Sequence, residues 1–250
     1  MITTVAQSAT AKFARLFPAS FLSRLVLAAL RARADSLSAD KALRFLLTVD
    51  NGLYQHLGRH AVRYGNGLHT KHRHTGYHNF FVSRCYPDDR VLDIGCGNGA
   101  LTYDIASLSG AFAVGIDINP DNISQAQACY RNDRLVFFNG DARQKIPDGP
   151  FDVIILSNVL EHIDHRPEFL RQVLSASAAR RVLIRVPSFE RDWRVPLKRE
   201  LGVEWRLDPT HATEYRLIEL ESELMYVGLK IRHIDSCWGE FWCEACLGQD

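Results

Sequence analysis

The sequence predicts an α/β fold in which helices cover both faces of a mostly parallel sheet, with a helical extension at the N-terminal end. From Pro87 onward, six short apolar runs alternate with helical stretches, and this alternation is typical of a parallel sheet. The first run leads into a glycine-rich turn, whereas the apolar residues of the preceding chain have helical spacing. We therefore predict a helical arm and lid over residues 1–86 and an α/β domain over residues 87–250.

The composition limits the class of protein. The 250 residues are 46% hydrophobic and 24% charged, which suits one α/β domain with appended elements. A net charge of +1 gives no general attraction to nucleic acid or acidic membranes, although it does not exclude a local basic face. The six cysteines are scattered rather than dense, which indicates a reducing compartment. We expect a cytoplasmic protein.

The N-terminal arm is basic. Residues 1–34 contain five basic residues and neither Asp nor Glu. The apolar stretch at residues 17–30 is interrupted by Ser23 and Arg24, so it is too short to span a bilayer. A helix that packs on the domain or lies over a cleft is our expectation. An interfacial membrane helix, which would make the protein peripheral to a membrane, or a transit segment stays open.

A second helical segment covers residues 38–65. Its apolar residues recur with helical spacing between Leu43 and Leu57, and Ser38 is placed to cap its N-terminus. Asn51 and Gly52 are poor helix formers, so we expect the helix to break there.

The strands of the predicted sheet are short and apolar. They are RVLDIG, FAVGID, RLVFF, FDVIILS, RRVLIRV and LKIRHID. Ligands of parallel sheets bind beyond the carboxyl ends of the strands, so we expect a site in the loops that follow these runs. Residues 188–214 separate two predicted core elements and have the length of a lid or binding loop.

The turn after the first strand indicates what this ligand is. Gly95, Gly97 and Ala100 fit the dinucleotide fingerprint G-x-G-x-x-G/A, whose glycines let a pyrophosphate approach a helix N-terminus. Gly99 gives the turn a third glycine. Asp93 argues against a pyrophosphate, because a carboxylate beside the glycines repels phosphate and favours an ammonium or sulfonium group.

Polar side chains follow the next three strands. Asp117 ends the second strand, where a carboxylate can accept both hydroxyls of a ribose. Asp141 follows the third strand, where it can accept the amino group of an adenine. The fourth strand ends at the same edge, with residues 157–162 turned into the cleft. The sequence therefore predicts a site for a nucleoside that carries a cationic group.

These four motifs in this order resemble those of class I S-adenosylmethionine-dependent methyltransferases. The matching stretches are LDIGCGNG, GID, GDA and FDVIILSNVLEHI, within residues 88–247. The resemblance implies an enzyme with a Rossmann-like sheet of seven strands, whose last strand, near GEFWCEAC, is antiparallel. It also implies S-adenosylmethionine as cofactor. The residues it places at the cofactor are Arg73, Asp93, Gly95, Gly97, Gly99, Asp117, Ile118, Asp141, Ala142 and Ser157.

Within the superfamily, the chain resembles ubiquinone-pathway O-methyltransferases and methyltransferases found with bacterial glycan genes. The latter have a lead-in similar to LHTKHRHTGYHNFF. In the ubiquinone group, an arginine of a comparable lead-in binds the methionine carboxylate of the cofactor. By position this implies Arg73, which has Lys71 and His72 as neighbours.

Three residues are candidates for catalysis. The sulfonium methyl group is already electrophilic, so the protein mainly aligns the acceptor and excludes water. A hydroxyl acceptor also needs a base, or a metal that lowers its pKa. Glu161 and His162 follow the fourth strand, and His211 lies in the 188–214 segment. His162 is the simplest base, unless it only buttresses its loop.

A metal site is the alternative role for these residues. In the ubiquinone group and in small-RNA 2′-O-methyltransferases, an E-x-x-E-H motif supplies metal ligands. Here Asn158 stands in place of the first carboxylate, and losing one hard anionic ligand weakens a magnesium site. We therefore expect no metal, with a divalent ion held by Glu161, His162 and His211 as the alternative.

The acceptor is less well defined by the sequence. We expect a small-molecule, lipid-linked or glycan acceptor, methylated on a hydroxyl. Aromatic and basic residues of the 188–214 segment suit sugars, phosphate-linked sugars or a phenolic head group; they are Trp193, Arg194, Lys198, Trp205 and Arg206. An RNA 2′-O-methyltransferase is disfavoured by the near-neutral charge and by Asn158. A non-catalytic binding protein of the same fold would have damaged cofactor motifs, and these four are intact.

Overall fold

The computed structural model describes residues 14–65 and 69–248, which form two compact units. The arm unit comprises the described residues up to His60 together with Leu197–Glu204. The sheet unit comprises the described residues from Ala61 to Pro196 and from Trp205 onward. Across these residues no helix combines the length and the apolarity that crossing a membrane requires.

The arm unit is built on two helices. Helix α1 is Ala19–Asp35 and buries none of its residues, whereas α2, Ala39–Tyr64, begins in this unit and buries Leu47. Ser38 precedes α2, and its carbonyl accepts the Ala42 N–H at 2.8 Å. The Ser38 hydroxyl donates to Asp40 instead of capping the helix.

Helix α2 runs without interruption through Asn51 and Gly52, so the predicted break is wrong. One glycine costs a helix only about 1 kcal/mol, which tertiary contacts can offset. The Asn51 amide nitrogen donates to the Glu204 carbonyl at 2.7 Å, and its oxygen accepts from Lys198 at 2.8 Å. Asn51 is therefore held in the helix by bonds that local helix propensity does not reveal.

The sheet has the seven strands that the sequence and the resemblance predicted. They are β1 Arg90–Ile94, β2 Phe112–Asp117, β3 Leu135–Asn139, β4 Val153–Ser157, β5 Arg181–Pro187, β6 Leu229–Cys237 and β7 Glu240–Leu247. The order across the sheet is β3-β2-β1-β4-β5-β7-β6. The first five strands pair in parallel, and β7 pairs antiparallel with both β5 and β6. The Rossmann-like fold with an antiparallel last strand is confirmed.

Helices cover both faces of this sheet. They are α3 Thr70–Thr75, α4 His78–Val82, α5 Ala100–Asp104, α6 Pro120–Cys129, α7 Arg166–Ser177 and α9 Leu217–Tyr226, with a π-helical turn at Ile105–Ser109 and a 3₁₀ turn at Leu160–His162. Helix α8, Arg194–Glu200, has residues in both compact units. Leu92 and Ile154 face the side covered by α7 and α9, and Val91 and Ile155 face the side covered by α4 and α5. Burial on both faces explains why the strands read as nearly continuous apolar runs.

Helices α3 and α4 lie in the sheet unit, although the sequence pattern grouped residues 1–86 as one segment. Tyr77, Phe80 and Phe81 are buried in the same cluster as Val91 of β1. This packing places the boundary between the compact units after His60. The functional division into arm, lid and catalytic domain stays a prediction.

The strand register brings the candidate site residues to one edge. Ile94 at the end of β1 pairs with Ile116 of β2 and with Leu156 of β4. The loops that follow these three strands therefore begin at the same level, so their side chains can surround a common ligand.

Candidate active site

The loop after β1 combines a tight turn with an open approach. Gly95, Gly97 and Gly99 all have positive φ, at 69°, 56° and 81°. A Cβ at Gly99 would lie 2.5 Å from the Phe137 ring, so this glycine is required for packing. A Cβ at Gly97 would have no atom within 4 Å. The backbone at Gly97 is therefore open to a ligand, which is what a glycine-lined cofactor site requires.

Asp117 ties this loop to the end of β2. Its Oδ2 accepts the Gly97 N–H at 2.9 Å, and its Oδ1 accepts the Asn119 N–H at 2.8 Å and the Asn122 amide at 3.2 Å. An ionised carboxylate has about four acceptor positions, so one remains for a ribose hydroxyl. Accepting the second hydroxyl would require the Asn122 side chain to move.

Asp93 lies beneath the loop rather than on its surface. It is 1% exposed, and the Thr102 hydroxyl donates to it at 2.6 Å. Burial, with a smaller contribution from Asp117, raises the pKa of Asp93 to about 7. Thr102 is its hydrogen-bond partner, and binding of the cofactor by Asp93 stays a prediction.

The predicted adenine loop follows β3. Asp141 forms a two-point ion pair with Arg143, with distances of 2.7 to 3.1 Å, and this bonding lowers the pKa of Asp141. An adenine amino group would compete with Arg143 for the carboxylate. Ile118 is exposed beside Asp117, whereas Ala142 is buried. A cavity of about 580 Å³ adjoins this loop and is lined on its apolar side by Ile116, Val136 and Phe138.

Ser157 ends β4 and contacts a buried charge cluster that the sequence reading missed. Arg185 of β5 is 4% exposed and donates to Ser157 at 3.3 Å. The same guanidinium donates twice to Glu240, at 2.7 and 3.0 Å, and lies 3.9 Å from the centre of the Tyr77 ring. Lys71 and the Trp242 indole also donate to Glu240. An arginine inside the apolar run RRVLIRV was the available signal, because a buried arginine requires a partner.

The pKa values of Glu240 and His72 reflect the charges gathered in this cluster. Burial tends to raise the pKa of Glu240, but the bonds and charges of Arg185 and Lys71 outweigh it and hold the value at about 2. Burial, followed by the charge of Arg185, lowers the pKa of His72 to about 4. At neutral pH the cluster therefore holds two cations, one carboxylate and a neutral histidine, and it has a net positive charge.

Arg73 is not part of this charge cluster. It is exposed on α3, and within residues 14–65 and 69–248 its side chain makes no hydrogen bond or ion pair. Its neighbour Lys71 is instead bound to the buried Glu240. Arg73 thus has a free guanidinium for a carboxylate, while binding of the cofactor by this residue stays a prediction.

Glu161, His162 and His211 lie together at the carboxyl end of β4. One potential ligand atom of each lies within 4.8 Å of the others. The Glu161 carbonyl accepts the Ala212 N–H at 2.7 Å, which holds the later segment beside the 3₁₀ turn. The two imidazole centres are 4.7 Å apart. The structure therefore assembles all three sequence-predicted catalytic candidates in one cluster.

The two histidines are oriented by their Nδ1 atoms. Thr210 donates its hydroxyl proton to Asp208 at 2.7 Å, so its oxygen accepts from His162 Nδ1 at 3.1 Å. The buried Glu214 accepts from His211 Nδ1 at 3.0 Å. With Nδ1 occupied in this way, each ring presents Nε2, the atom that can take a proton or bind a metal. Desolvation, and then the charge of His211, lower the pKa of His162.

Glu161 is the unusual member of the cluster. It is 1% exposed, and neither carboxylate oxygen has a hydrogen-bond partner in the described part of the chain. Burial raises its pKa to about 8, so the carboxyl group is mainly neutral at pH 7. A buried polar group without a partner costs about 1 to 3 kcal/mol. A group that keeps this cost in the folded chain is typical of a site where a ligand or an ion completes the hydrogen bonding.

Asn158 has a backbone reason to be where it is. Its φ is 59°, in the left-handed region that Asn adopts more readily than other residues with a Cβ. Its N–H donates to the Arg185 carbonyl at 2.7 Å. The missing carboxylate of the metal motif therefore coincides with a turn that favours asparagine.

The 188–214 segment is ordered by its own contacts. Trp205 packs edge to face on Phe189, with ring centres 5.2 Å apart, and Arg206 donates to the His211 carbonyl. Lys198 lies in the arm unit, where it pairs with Asp50 at 2.9 Å. Trp193, one of the five residues of this segment that were expected to line an acceptor site, is 72% exposed. A lid role for this segment stays a prediction.

Comparison with known proteins identifies the class to which this geometry belongs. The chain is 28% identical over 155 residues to a ubiquinone biosynthesis O-methyltransferase of Rhodopseudomonas palustris, covering 59% of this chain and 60% of the relative. It is also 28% identical over 118 residues to the ajmaline N-methyltransferase of Rauvolfia serpentina, covering 43% and 40%. The chain therefore spans between 40% and 60% of the length of these relatives.

A solved structure has the same fold. Magnesium protoporphyrin IX methyltransferase from Synechocystis PCC 6803, with bound SAH, superposes with a TM-score of 0.56 at 20% identity, covering 70% of this chain and 84% of that one. The fold is that of the class I S-adenosylmethionine-dependent methyltransferases.

A family model described as "Methyltransferase domain" matches residues 69–234. The chain belongs to this family, and the predicted resemblance is confirmed. S-adenosylmethionine is the cofactor of the matched domain, and the open backbone at Gly97 and the acceptor position of Asp117 fit it.

Proposed function

We propose that this protein transfers the methyl group of S-adenosylmethionine to a hydroxyl group of a small-molecule or glycan acceptor. The observation that carries the proposal is the cluster of Glu161, His162 and His211, in which a buried carboxyl group without a partner lies beside two oriented imidazoles. A nitrogen acceptor with a free lone pair needs no base. A hydroxyl acceptor does, because its oxygen is a poor nucleophile until its proton is removed.

His162 is the proposed base. The cofactor supplies a methyl group on a positively charged sulfur, so a bond to the acceptor oxygen forms as the carbon–sulfur bond breaks. The acceptor proton passes to His162 Nε2, since Nδ1 is bound to Thr210. The lowered pKa of His162 keeps the ring neutral at pH 7, which is the form that accepts a proton.

Glu161 and His211 have supporting roles in this proposal. With a pKa of about 8, Glu161 is a neutral carboxylic acid at pH 7 and can donate a hydrogen bond to the acceptor oxygen. His211 is the reserve base, because its Nε2 belongs to the same cluster and its Nδ1 is bound to Glu214. A site of this kind orients a hydroxyl through two or three directional bonds.

A divalent metal is the second candidate for activating the acceptor, and the Glu161 carboxyl group without a partner favours it. Two imidazole nitrogens and one carboxylate form a donor set that fits zinc, manganese or iron better than magnesium. Such an ion would lower the pKa of a bound acceptor hydroxyl. Asn158 offers only a weak amide oxygen, so this site would have three strong protein ligands.

The two reported relatives support a small organic acceptor without selecting one. The names of the two curated relatives refer to transfer to oxygen in one and to nitrogen in the other. The choice of oxygen for this chain therefore depends on the catalytic cluster. An RNA acceptor is disfavoured by the net charge of +1, since RNA-binding surfaces are strongly basic.

The test of the reaction is transfer of a labelled methyl group to small-molecule, lipid, glycan, RNA and protein fractions. His162→Ala should lower turnover by about 10² to 10⁴ while the affinity for S-adenosylhomocysteine stays unchanged. His165→Ala, three residues further along the chain and exposed, is the matched control and should retain full turnover. Labelling confined to RNA or protein would contradict the proposed acceptor.

Chelation separates the two ways of activating the acceptor. If His162 acts as a base, EDTA leaves turnover unchanged. If EDTA abolishes turnover and manganese or zinc restores it, the metal candidate is correct and the base is not. Full turnover in His162→Ala, in His211→Ala and in EDTA would show that alignment alone suffices, and a nitrogen or carbon acceptor would then replace the hydroxyl.

Cofactor binding has its own test. We expect S-adenosylhomocysteine to bind with a Kd in the micromolar range, about −7 to −9 kcal/mol. Asp117→Ala should weaken it at least about tenfold, because it removes the ribose acceptor and the Gly97 contact. Calorimetry that showed tighter binding of NAD than of S-adenosylhomocysteine would contradict the assignment of these residues.

A further inference from the structure

Helix α1 exposes an apolar face. Phe21 and Leu25 are each 49% exposed, and Val26 is 53% exposed. The helix buries none of its 17 residues. At 100° per residue, positions 21, 25, 28 and 32 form one apolar stripe, with positions 22 and 29 beside it. Phe17 stacks on Phe21, with ring centres 5.3 Å apart, and extends the stripe toward the N-terminal end.

One flank of this stripe is basic. At 100° per residue Arg24 and Arg31 lie about 60° and about 80° from Phe21, on the side away from Leu25. Leu27, which is 53% exposed, lies further round the same flank. Within the described ranges neither of these arginines makes a side-chain hydrogen bond or ion pair. Arg15 and Arg33 add two further positive charges, and no acid precedes Asp35. The segment from residue 14 to residue 34 thus carries four positive charges and no acid, and the helix itself, which ends at Asp35, has a net charge of +2.

The charge pattern determines which partner fits this helix. A second copy would place an equally basic helix against it, which like-charge repulsion disfavours. A bilayer surface that contains anionic lipid offers negative charge at the level of the arginines and hydrocarbon at the level of Phe21 and Leu25. Helix α2 adds apolar surface to the same unit, because Leu53 and Leu57 are also more than half exposed.

We propose that α1 is an interfacial helix that binds the chain to the surface of membranes containing anionic lipid. The apolar stripe enters the boundary between head groups and acyl chains, while Arg24 and Arg31 contact the head groups. This proposal is independent of the acceptor, since it depends only on residues of the arm unit. It adds a location on membranes to a domain whose family match begins at residue 69.

The test is co-flotation of the full chain with lipid vesicles. One vesicle population is phosphatidylcholine alone, and the other contains about 30 mol% phosphatidylserine. We expect flotation with the anionic vesicles only, and a loss of binding when salt rises from about 0.1 M to about 0.5 M, because screening weakens the arginine contacts.

Variants on the two sides of the helix distinguish the two contributions. Arg24→Ala with Arg31→Ala should weaken binding about 20-fold to 30-fold, at about fivefold for each arginine near an anionic surface. Phe21→Glu with Leu25→Glu should weaken it at least tenfold, because two charges enter the apolar face. Ile218→Glu with Met225→Glu is the matched control, on exposed apolar residues of the sheet unit, and should bind as the wild type does.

Three outcomes would overturn the proposal. The first is a wild-type chain that does not float with anionic vesicles. The second is undiminished flotation of the Phe21→Glu, Leu25→Glu variant, whose folding is checked by its unchanged affinity for S-adenosylhomocysteine. The third is a wild-type chain that sediments as a dimer and is dissociated by this double substitution, which would assign the apolar face to a second copy.

Discussion

Replacing Asp93 by Asn tests whether the carboxyl group beneath the glycine loop destabilises the folded chain when it ionises. Asp93 is buried and has one strong partner, the Thr102 hydroxyl. Asparagine has nearly the same shape as the protonated acid and can still accept from Thr102. The substitution therefore removes the titration while it retains the packing.

The magnitude follows from the pKa of Asp93. Burial raises it from 3.8 to about 7, which is about 3 units, or about 4 kcal/mol at 1.36 kcal/mol per unit as an upper limit. Below pH 3.8 both folded and unfolded chains are protonated at this position. As pH rises from 4 to 7 only the unfolded chain ionises, so the free energy of unfolding falls, and the loss is complete above pH 7.

Urea unfolding at several pH values, followed by the fluorescence of the four tryptophans, measures this effect. The free energy of unfolding of Asp93→Asn minus that of the wild type should be about 2 to 4 kcal/mol larger at pH 8 than at pH 4. Other titrating groups cancel in this difference. Asp148→Asn is the control, because that side chain is 94% exposed. A difference that stays constant from pH 4 to pH 8 would refute the reasoning.

Two further predictions concern packing and charge in the sheet unit. Gly99→Ala should reduce the free energy of unfolding by about 2 to 4 kcal/mol in urea titration, because the added Cβ would collide with Phe137 in a backbone conformation unsuited to alanine. Gly97→Ala, which has open space around its Cβ, should reduce it by only about 1 kcal/mol. Arg185→Met should reduce the free energy of unfolding by about 3 to 5 kcal/mol, because the buried Glu240 carboxylate loses its main counter-charge. Adding Glu240→Leu should restore more than half of that loss. Equal losses in the single and double variants would show that the ion pair is not responsible.

The sheet could be predicted from the sequence because its signals are local. Each strand is a short apolar run bounded by polar or turn residues, and burial on both faces makes these runs easy to recognise. The antiparallel direction of β7 came from the family resemblance. Its place between β5 and β6 was not predicted, since strand order depends on which edges meet in space. The course of α2 through Gly52 was not predictable, because the bonds of Asn51 to Glu204 and Lys198 join residues about 150 positions apart.

Part of the candidate site could also be predicted from local sequence signals, and part of it could not. Gly97 lies in the turn after β1, and Asp117 ends β2, so each belongs to a short local motif that the sequence reveals. The structure joins the two residues by a hydrogen bond. The cluster around Arg185 was missed because its partner Glu240 is 55 positions away and lies on a strand of opposite direction. The sequence places Arg185 inside an apolar run without indicating which carboxylate neutralises it.

The strand order also bears on how the chain folds during synthesis. Strand β7 follows β6 in the chain, yet it occupies the interior position beside β5. Until β7 has been made, β5 is the edge of a partial sheet, and an apolar edge strand invites pairing with other chains. Arg181 and Arg185 lie on that edge, and charged residues at such positions discourage aggregation. The arginine that neutralises Glu240 in the finished sheet therefore also places a charge on the edge of β5 while its partner strand is still missing.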